Sequence, residues 1–311
     1  MLFDYSLNDL ILKAFYLIVF IKIYKFSYWI YRVTLRKRID FKSRYGEGSW
    51  ALITGATDGI GKAFTFSLAK EGFNIILVSR TPEKLKTCVG ELRFKYPNVK
   101  VVSLTFDFSQ KVEVIHYYND FSEILSKYDV SILVNNVGMG EVNSFIDIST
   151  ENVYNTLIVN TLPQTLLTRM FAEKFLKRTK RSAIINLSSV AAEGFIPNFA
   201  LYSSTKVFNL YLSKGLEGEM RSKVDFLCVK PFGVESNLSK MKKSLFVITP
   251  EECSEGSLDC LGYDSEITGH WNHDIQSFIF GLIPTWLIAF IDIRKIFRFL
   301  RRFSGSRSSQ K

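Results

Sequence analysis

From Trp50 onward, short apolar runs alternate with longer stretches in which apolar and polar residues share a helical period. WALIT (50–54), NIILVS (74–79), KVVSLTF (100–106), SILVNN (131–136), AIINLSS (183–189) and VDFLCVKP (224–231) read as strands buried on both faces. Residues 60–71, 82–95, 110–127, 151–177, 202–221 and 250–261 read as helices. This alternation predicts an α/β domain: a doubly wound parallel sheet covered on both sides, over residues 46–262. No internal repeat is visible beyond the alternation itself.

The two ends carry a different pattern. Leu7 to Tyr31 is mostly apolar but holds Asp9, Lys13, Lys22 and Lys25. Its longest charge-free run, Ala14–Ile21, is far short of the roughly 20 residues that span a bilayer. Residues 1–45 are therefore expected to be a membrane anchor or an interfacial helix, with Lys22, Lys25, Arg32 and Arg36 forming a basic stripe. If the segment spans, the charge order puts the rest of the chain on the cytosolic side. No basic leader or small-residue cleavage site suggests a removable signal peptide. Residues 263–303 form a second membrane-associating segment. Ile275–Ile291 is uncharged throughout, with Pro284 expected to kink it. The following DIRKIFRFLRR places Arg294, Lys295, Arg298, Arg301 and Arg302 on one arc and apolar residues on the rest. A helix packed on the domain's own core is the alternative. The SGSRSSQK tail, 304–311, is expected to be disordered.

Composition sharpens this picture. The chain has 311 residues, 47% hydrophobic, enough for a full core. Four cysteines without a C-x-x-C pair, and three histidines, argue against zinc and against a disulfide framework. The net charge of +10 is carried by the ends: residues 1–45 hold a net +6, residues 292–311 another +6, and the body between is at −2. A nucleic-acid enzyme would carry its basic patch on the folded body, so anionic lipid is the expected partner rather than nucleic acid.

Chemistry enters at T-G-A-T-D-G-I-G, residues 54–61, where a buried strand gives way to a helix. Glycines there permit a tight turn, and a helix N-terminus offers amide donors to a pyrophosphate. Gly55, Thr57, Asp58, Gly59, Ile60 and Gly61 are the candidate residues, with the Asp58 side chain expected to point away from the phosphates. The second strand ends in Ser79 and Arg80, without the acidic residue that holds a ribose 2′-hydroxyl in NAD sites. An arginine there suits a 2′-phosphate, so the expected cofactor is NADPH (NADP+). Further on, Y-S-S-T-K puts Tyr202 and Lys206 on one helix face.

These motifs, in this order, resemble the short-chain dehydrogenases/reductases, whose fold is a Rossmann-type sheet; the resemblance covers roughly residues 48–262. TGATDGIGKA, SRTPEKL, LVNNVGM and GHWNHDIQ are more narrowly similar to the endoplasmic-reticulum branch of very-long-chain 3-oxoacyl-CoA reductases and 17-beta-hydroxysteroid dehydrogenases of types 3 and 12. The resemblance implies catalytic roles for Tyr202, Lys206, Ser189 and Asn160. It implies cofactor contacts at Asp107, Asn135, Asn136, Gly138 and Pro231, besides the glycine loop, Ser79, Arg80, Tyr202 and Lys206. It implies no metal. Tyr202 would move the proton, and Ser189 would polarise the carbonyl. Lys206 would hold the nicotinamide ribose, and Asn160 a water leading to solvent. An ammonium about 4 Å away contributes roughly 4 kcal/mol at an effective dielectric of 20, enough to bring a phenol from about 10 to near neutrality. The Pro231-Phe232-Gly233 stretch departs from the usual Pro-Gly, which leaves the substrate open. The implied reaction is reduction of a 3-oxoacyl-CoA in fatty-acid elongation at the endoplasmic-reticulum membrane, with the catalytic domain facing the cytosol. The alternatives are oxidoreduction of a steroid or other lipid alcohol, or a nucleotide-binding scaffold without catalysis. A homodimer and other elongation enzymes are the protein partners such a reading admits.

Overall fold

The computed structural model describes residues 7–110, 114–288, 290 and 292–305. Helix α1 (Leu7–Thr34) forms one unit with the residues up to Arg38, and Ile39 onward forms another. α1 keeps its charges scattered among apolar residues. Among the described residues, no helix is long and apolar enough to cross a membrane.

In the larger unit a short helix α2 (Phe41–Tyr45) is capped by Asp40, whose carboxylate accepts from the amides of Lys42 and Ser43. The expected strands follow as β1 (Trp50–Thr54), β2 (Asn74–Ser79), β3 (Val101–Thr105), β4 (Val130–Asn135), β5 (Ser182–Leu187) and β6 (Val224–Val229). Between them run α3 (Gly59–Lys70), α4 (Pro82–Lys95), α5 (Val114–Lys127), α6 (Thr150–Lys177) and α7 (Ala200–Met220). After β6 come the small pair β7 (Gly233–Val234) and β8 (Val247–Ile248), then α8 (Pro250–Cys260), β9 (Glu266–Ile267), α9 (Trp271–Gly281), α10 (Thr285–Ile288) and α11 (Ile293–Gly305). The main sheet has the order β3-β2-β1-β4-β5-β6-β9, every neighbour parallel.

Alternate residues of each strand feed two cores. Ala51, Ile53, Ile75 and Leu77 pack with Phe64 and Leu68 of α3 and Leu258 of α8. Leu52, Ile76 and Leu133 pack with Phe121 of α5 and Phe171 and Phe175 of α6. Each such leucine, isoleucine or phenylalanine contributes about 1.5–3 kcal/mol by leaving water. The chain order reverses between β1 and β4, so the crevice of a doubly wound sheet opens at the carboxyl ends of these two strands.

Several expectations need correction. β3 is the sheet's edge, and its Ser103 and Thr105 are exposed; only strands with neighbours on both sides are buried on both faces. A domain end at 262 cuts through the fold, because β9 adds to β6 and His273 of α9 is fully buried. Its beginning at 46 likewise omits Phe41 and Tyr45, both core residues. The uncharged 275–291 segment is not one helix. α9 stops at Gly281, and Pro284, which has no N–H to donate, stands just before α10. Of the segment predicted as helix over 110–127, residues 111–113 lie outside the described residues, and Asp107–Gln110 is a turn. Of the expected tail, Ser304 and Gly305 close α11 and residues 306–311 lie outside the described residues.

Candidate active site

The glycine loop is shaped by close approach. Gly55 and Gly59 have φ of +65° and +50°, the left-handed region that favours glycine. A Cβ on Gly61 would stand 2.2 Å from the Gly55 carbonyl oxygen and 2.4 Å from Asn136 Nδ2. The bare backbone therefore lets α3 start directly against the end of β1. Thr57 and Ser79 join their hydroxyls at 2.8 Å, linking the loop to the end of β2. Ile60 is half-buried against the core. Arg80 is exposed at the carboxyl end of β2, and Asp107 Oδ1 accepts from the amide and hydroxyl of Ser109.

Asp58 caps α3: its Oδ1 accepts from the Gly59 amide at 2.8 Å, and its Oδ2 accepts from Asn237 Nδ2 at 2.7 Å. Its carboxylate thus sits at the helix start and ties the glycine loop to the segment after β7.

The two asparagines that end β4 serve the scaffold. Asn136 Nδ2 donates to the carbonyls of Thr54 and Gly55, and its amide donates to Thr54 Oγ1. Asn135 is buried inside the sheet, its Nδ2 donating to Thr168 Oγ1 and to Asn186 Oδ1, so it does not face the crevice as a cofactor contact would. Gly138 does face the catalytic groups: a Cβ there would lie 3.4 Å from both Asn160 Oδ1 and Lys206 Nζ.

Tyr202 is the third residue of α7, and Lys206 follows one turn later. Lys206 is buried; its ammonium donates to the Leu187 carbonyl at 2.9 Å and lies 5.5 Å from the centre of the Tyr202 ring. Ser188 Oγ donates to the Lys206 carbonyl, fastening α7 to the end of β5. Ser189 begins a single 3-10 turn, accepting from the Ala191 amide, and its hydroxyl is near enough to the Tyr202 phenol to favour the phenolate slightly. The Pro231 carbonyl accepts from the Val190 amide, bringing the end of β6 to the same place. Tyr202, Ser189, Lys206 and Gly138 therefore converge.

Two expectations fail at this site. Asn160 is committed on both sides, with Oδ1 accepting from the Met139 amide and Nδ2 donating to the Met139 carbonyl and to Thr205 Oγ1. Its side chain pins the 138–140 loop to α7 rather than holding a water. Burial, moreover, pushes the Tyr202 phenol up to about 12 rather than toward neutrality, with Ser189 acting the other way. Burial likewise pushes Lys206 down to about 8.

The pattern reading missed Gly140 and Phe199. A Cβ on Gly140 would sit 2.4 Å from Tyr202 Cδ2. Phe199 stacks on the Tyr202 ring, centroids 4.4 Å apart at 20°. The second glycine of V-G-M-G was the only signal in the sequence.

The glycine cradle, the amino end of α3 and an arginine with no acid beside it fit a phosphorylated dinucleotide in shape and charge. Among the described residues no cluster of three or more metal-ligating side chains occurs. Residues 49–245 match the family model for short chain dehydrogenase. A very-long-chain 3-oxoacyl-CoA reductase of Caenorhabditis briggsae is 36% identical over 256 residues, covering 80% of this chain and 79% of that one. Among solved structures, a 7beta-hydroxysteroid dehydrogenase superposes with TM-score 0.67 at 24% identity, over 86% of this chain and all of the other. A short-chain dehydrogenase from Sphingobium yanoikuyae in complex with NADPH gives 0.62 at 24% identity, over 68% and 84% of the two chains.

Proposed function

Since this chain belongs to the short-chain dehydrogenase family, we propose that it reduces a lipid ketone with NADPH, and that the ketone is a long-chain 3-oxoacyl-CoA. The observation that carries the reading is the meeting of Tyr202, Ser189 and Lys206 beside Gly138, next to a loop that only glycines can form.

The Gly55–Gly61 loop and the amino end of α3 would receive the pyrophosphate, Arg80 the 2′-phosphate, Asp107 the adenine, and Lys206 and Pro231 the nicotinamide half. When bound, the dinucleotide supplies a hydride. A phenol near 12 stands fully protonated at neutral pH, which is the form a proton donor to a new alkoxide needs. Ser189 directs its hydroxyl to the carbonyl oxygen, where negative charge grows. Lys206, near 8, remains mostly cationic at pH 7 and returns a proton to the phenol side.

The substrate's acyl chain suits the chain's surface. Phe278, Ile279, Leu282, Trp286 and Phe290 are exposed, and Arg294, Lys295 and Arg298 follow at once on α11. Such a surface fits the anionic cytosolic leaflet of the endoplasmic reticulum. The basic, apolar α1 fits the same surface.

The test is NADPH oxidation by the full chain in lipid, with 3-oxostearoyl-CoA compared with a 17-ketosteroid. Turnover of the acyl-CoA at least tenfold more efficient supports the reading. Preference for the steroid overturns the substrate, and turnover of neither points to a scaffold without catalysis.

A further inference from the structure

α11 reaches the catalytic tyrosine through two aromatic rings. Phe297 meets Phe199 edge to face, centroids 5.8 Å apart at 66°, and Phe199 stacks on Tyr202. Phe199 is placed there by the turn before α7, in which Asn198 takes a left-handed φ of +63°. On the other elements, Gly140 comes so close to the Tyr202 ring that no side chain fits between them. The ring therefore has little freedom, and one of the surfaces that restrains it ends on a helix of the C-terminal segment. Within α11, Ile293, Phe297 and Leu300 are half-buried while Arg294, Lys295, Ile296, Arg298 and Phe299 are exposed, so the helix gives one face to the domain and another to its surroundings.

We propose that Phe199 and Phe297 are positioning residues, an aromatic strut through which the C-terminal helix fixes the catalytic phenol. This inference rests on Tyr202 being the proton donor proposed above. The strut acts by orientation and by keeping water from the ring. A proton donor displaced from its acceptor by a fraction of an ångström loses rate before it loses binding. The ionisable group facing Tyr202 is Lys206 on its own helix; Ser189 faces it as a neutral group. Glu141, beside Gly140, is exposed and taken up by Asn143 and Asn152, and Arg294, Lys295 and Arg298 of α11 are exposed. Loosening the strut thus changes hydration rather than charge at the phenol.

The experiment measures Phe297→Ala, Phe297→Tyr, Phe199→Ala and the double alanine variant in the full chain. Each is scored for kcat, KM for NADPH, the pH profile of alcohol oxidation and thermal midpoint. Loss of one aromatic contact lowers kcat about three- to tenfold in Phe297→Ala, with KM for NADPH unchanged and the rising limb of the oxidation profile moved to lower pH. Phe297→Tyr restores kcat, and in the Phe199→Ala background Phe297→Ala has no further effect. Unchanged kcat and pH profile in Phe297→Ala overturn the strut. So does a variant that loses cofactor affinity, thermal midpoint and kcat together. Tyr202→Phe, assayed alongside, separates the two failures: if it keeps its turnover, the reading of the site fails, whereas if it is inactive and Phe297→Ala is normal, only the strut fails.

Discussion

A phenol enclosed by protein keeps its proton, because the phenolate would give up hydration that nothing nearby replaces. Burial pushes Tyr202 up to about 12 for that reason, with Ser189 acting the other way. Tyr202→Phe is expected to lower turnover by about 10²–10⁴, the usual contribution of a general acid, while dinucleotide binding measured by fluorescence is retained. Gly140→Ala pushes a methyl into the same restrained ring and should reduce both kcat and thermal midpoint. The shared face of Tyr202 and Lys206 was legible because four-residue spacing is itself the signal, whereas Ser189 was reached only through the family resemblance. Asn135 and Asn160 were misread for the opposite reason. Their tasks are set by Thr168, Asn186, Met139 and Thr205, partners that the fold brings in from other elements. Periodicity says nothing about such partners.

At the scale of elements, the start of α3 shows how one backbone contact holds a binding loop. Gly61→Ala would force a methyl within 2.2 Å of the Gly55 oxygen, and backbone cannot step aside as a side chain can. The variant is expected to lose NADPH affinity by at least tenfold in equilibrium titration, or to fail to fold. α9 makes a different demand. His273 is buried with Nδ1 accepting from the Phe232 amide, and burial pushes it down to about 4 from 6.5. Between those values the unfolded chain takes up a proton that the folded chain refuses. Stability is therefore full above about pH 6.5 and falls as the pH drops toward 4, by an amount on the order of 3 kcal/mol. Chemical denaturation at pH 7.5 and pH 4.5 should show the decline, and His273→Gln should flatten it. The helices and central strands were legible from apolar spacing. β9 was not, since two residues carry no period, and its place is decided by the free edge of β6.

At the scale of the whole molecule, the lipid contact proposed for the C-terminal segment is open to a binding test. Sedimentation with phosphatidylserine vesicles, compared with phosphatidylcholine alone, should retain the wild-type chain and release an Arg294→Glu/Lys295→Glu/Arg298→Glu variant as salt rises. The doubly wound sheet could be read from the alternation of segments. The division of the C-terminal segment between exposed and domain-facing residues could not, because the same apolar side chains serve both. The edge pairing of β9 on β6 has a practical consequence. Ending the chain at residue 262 would strip β9 from the edge of β6 and remove α9 with its buried His273. The shortened chain should emerge from expression as insoluble aggregates.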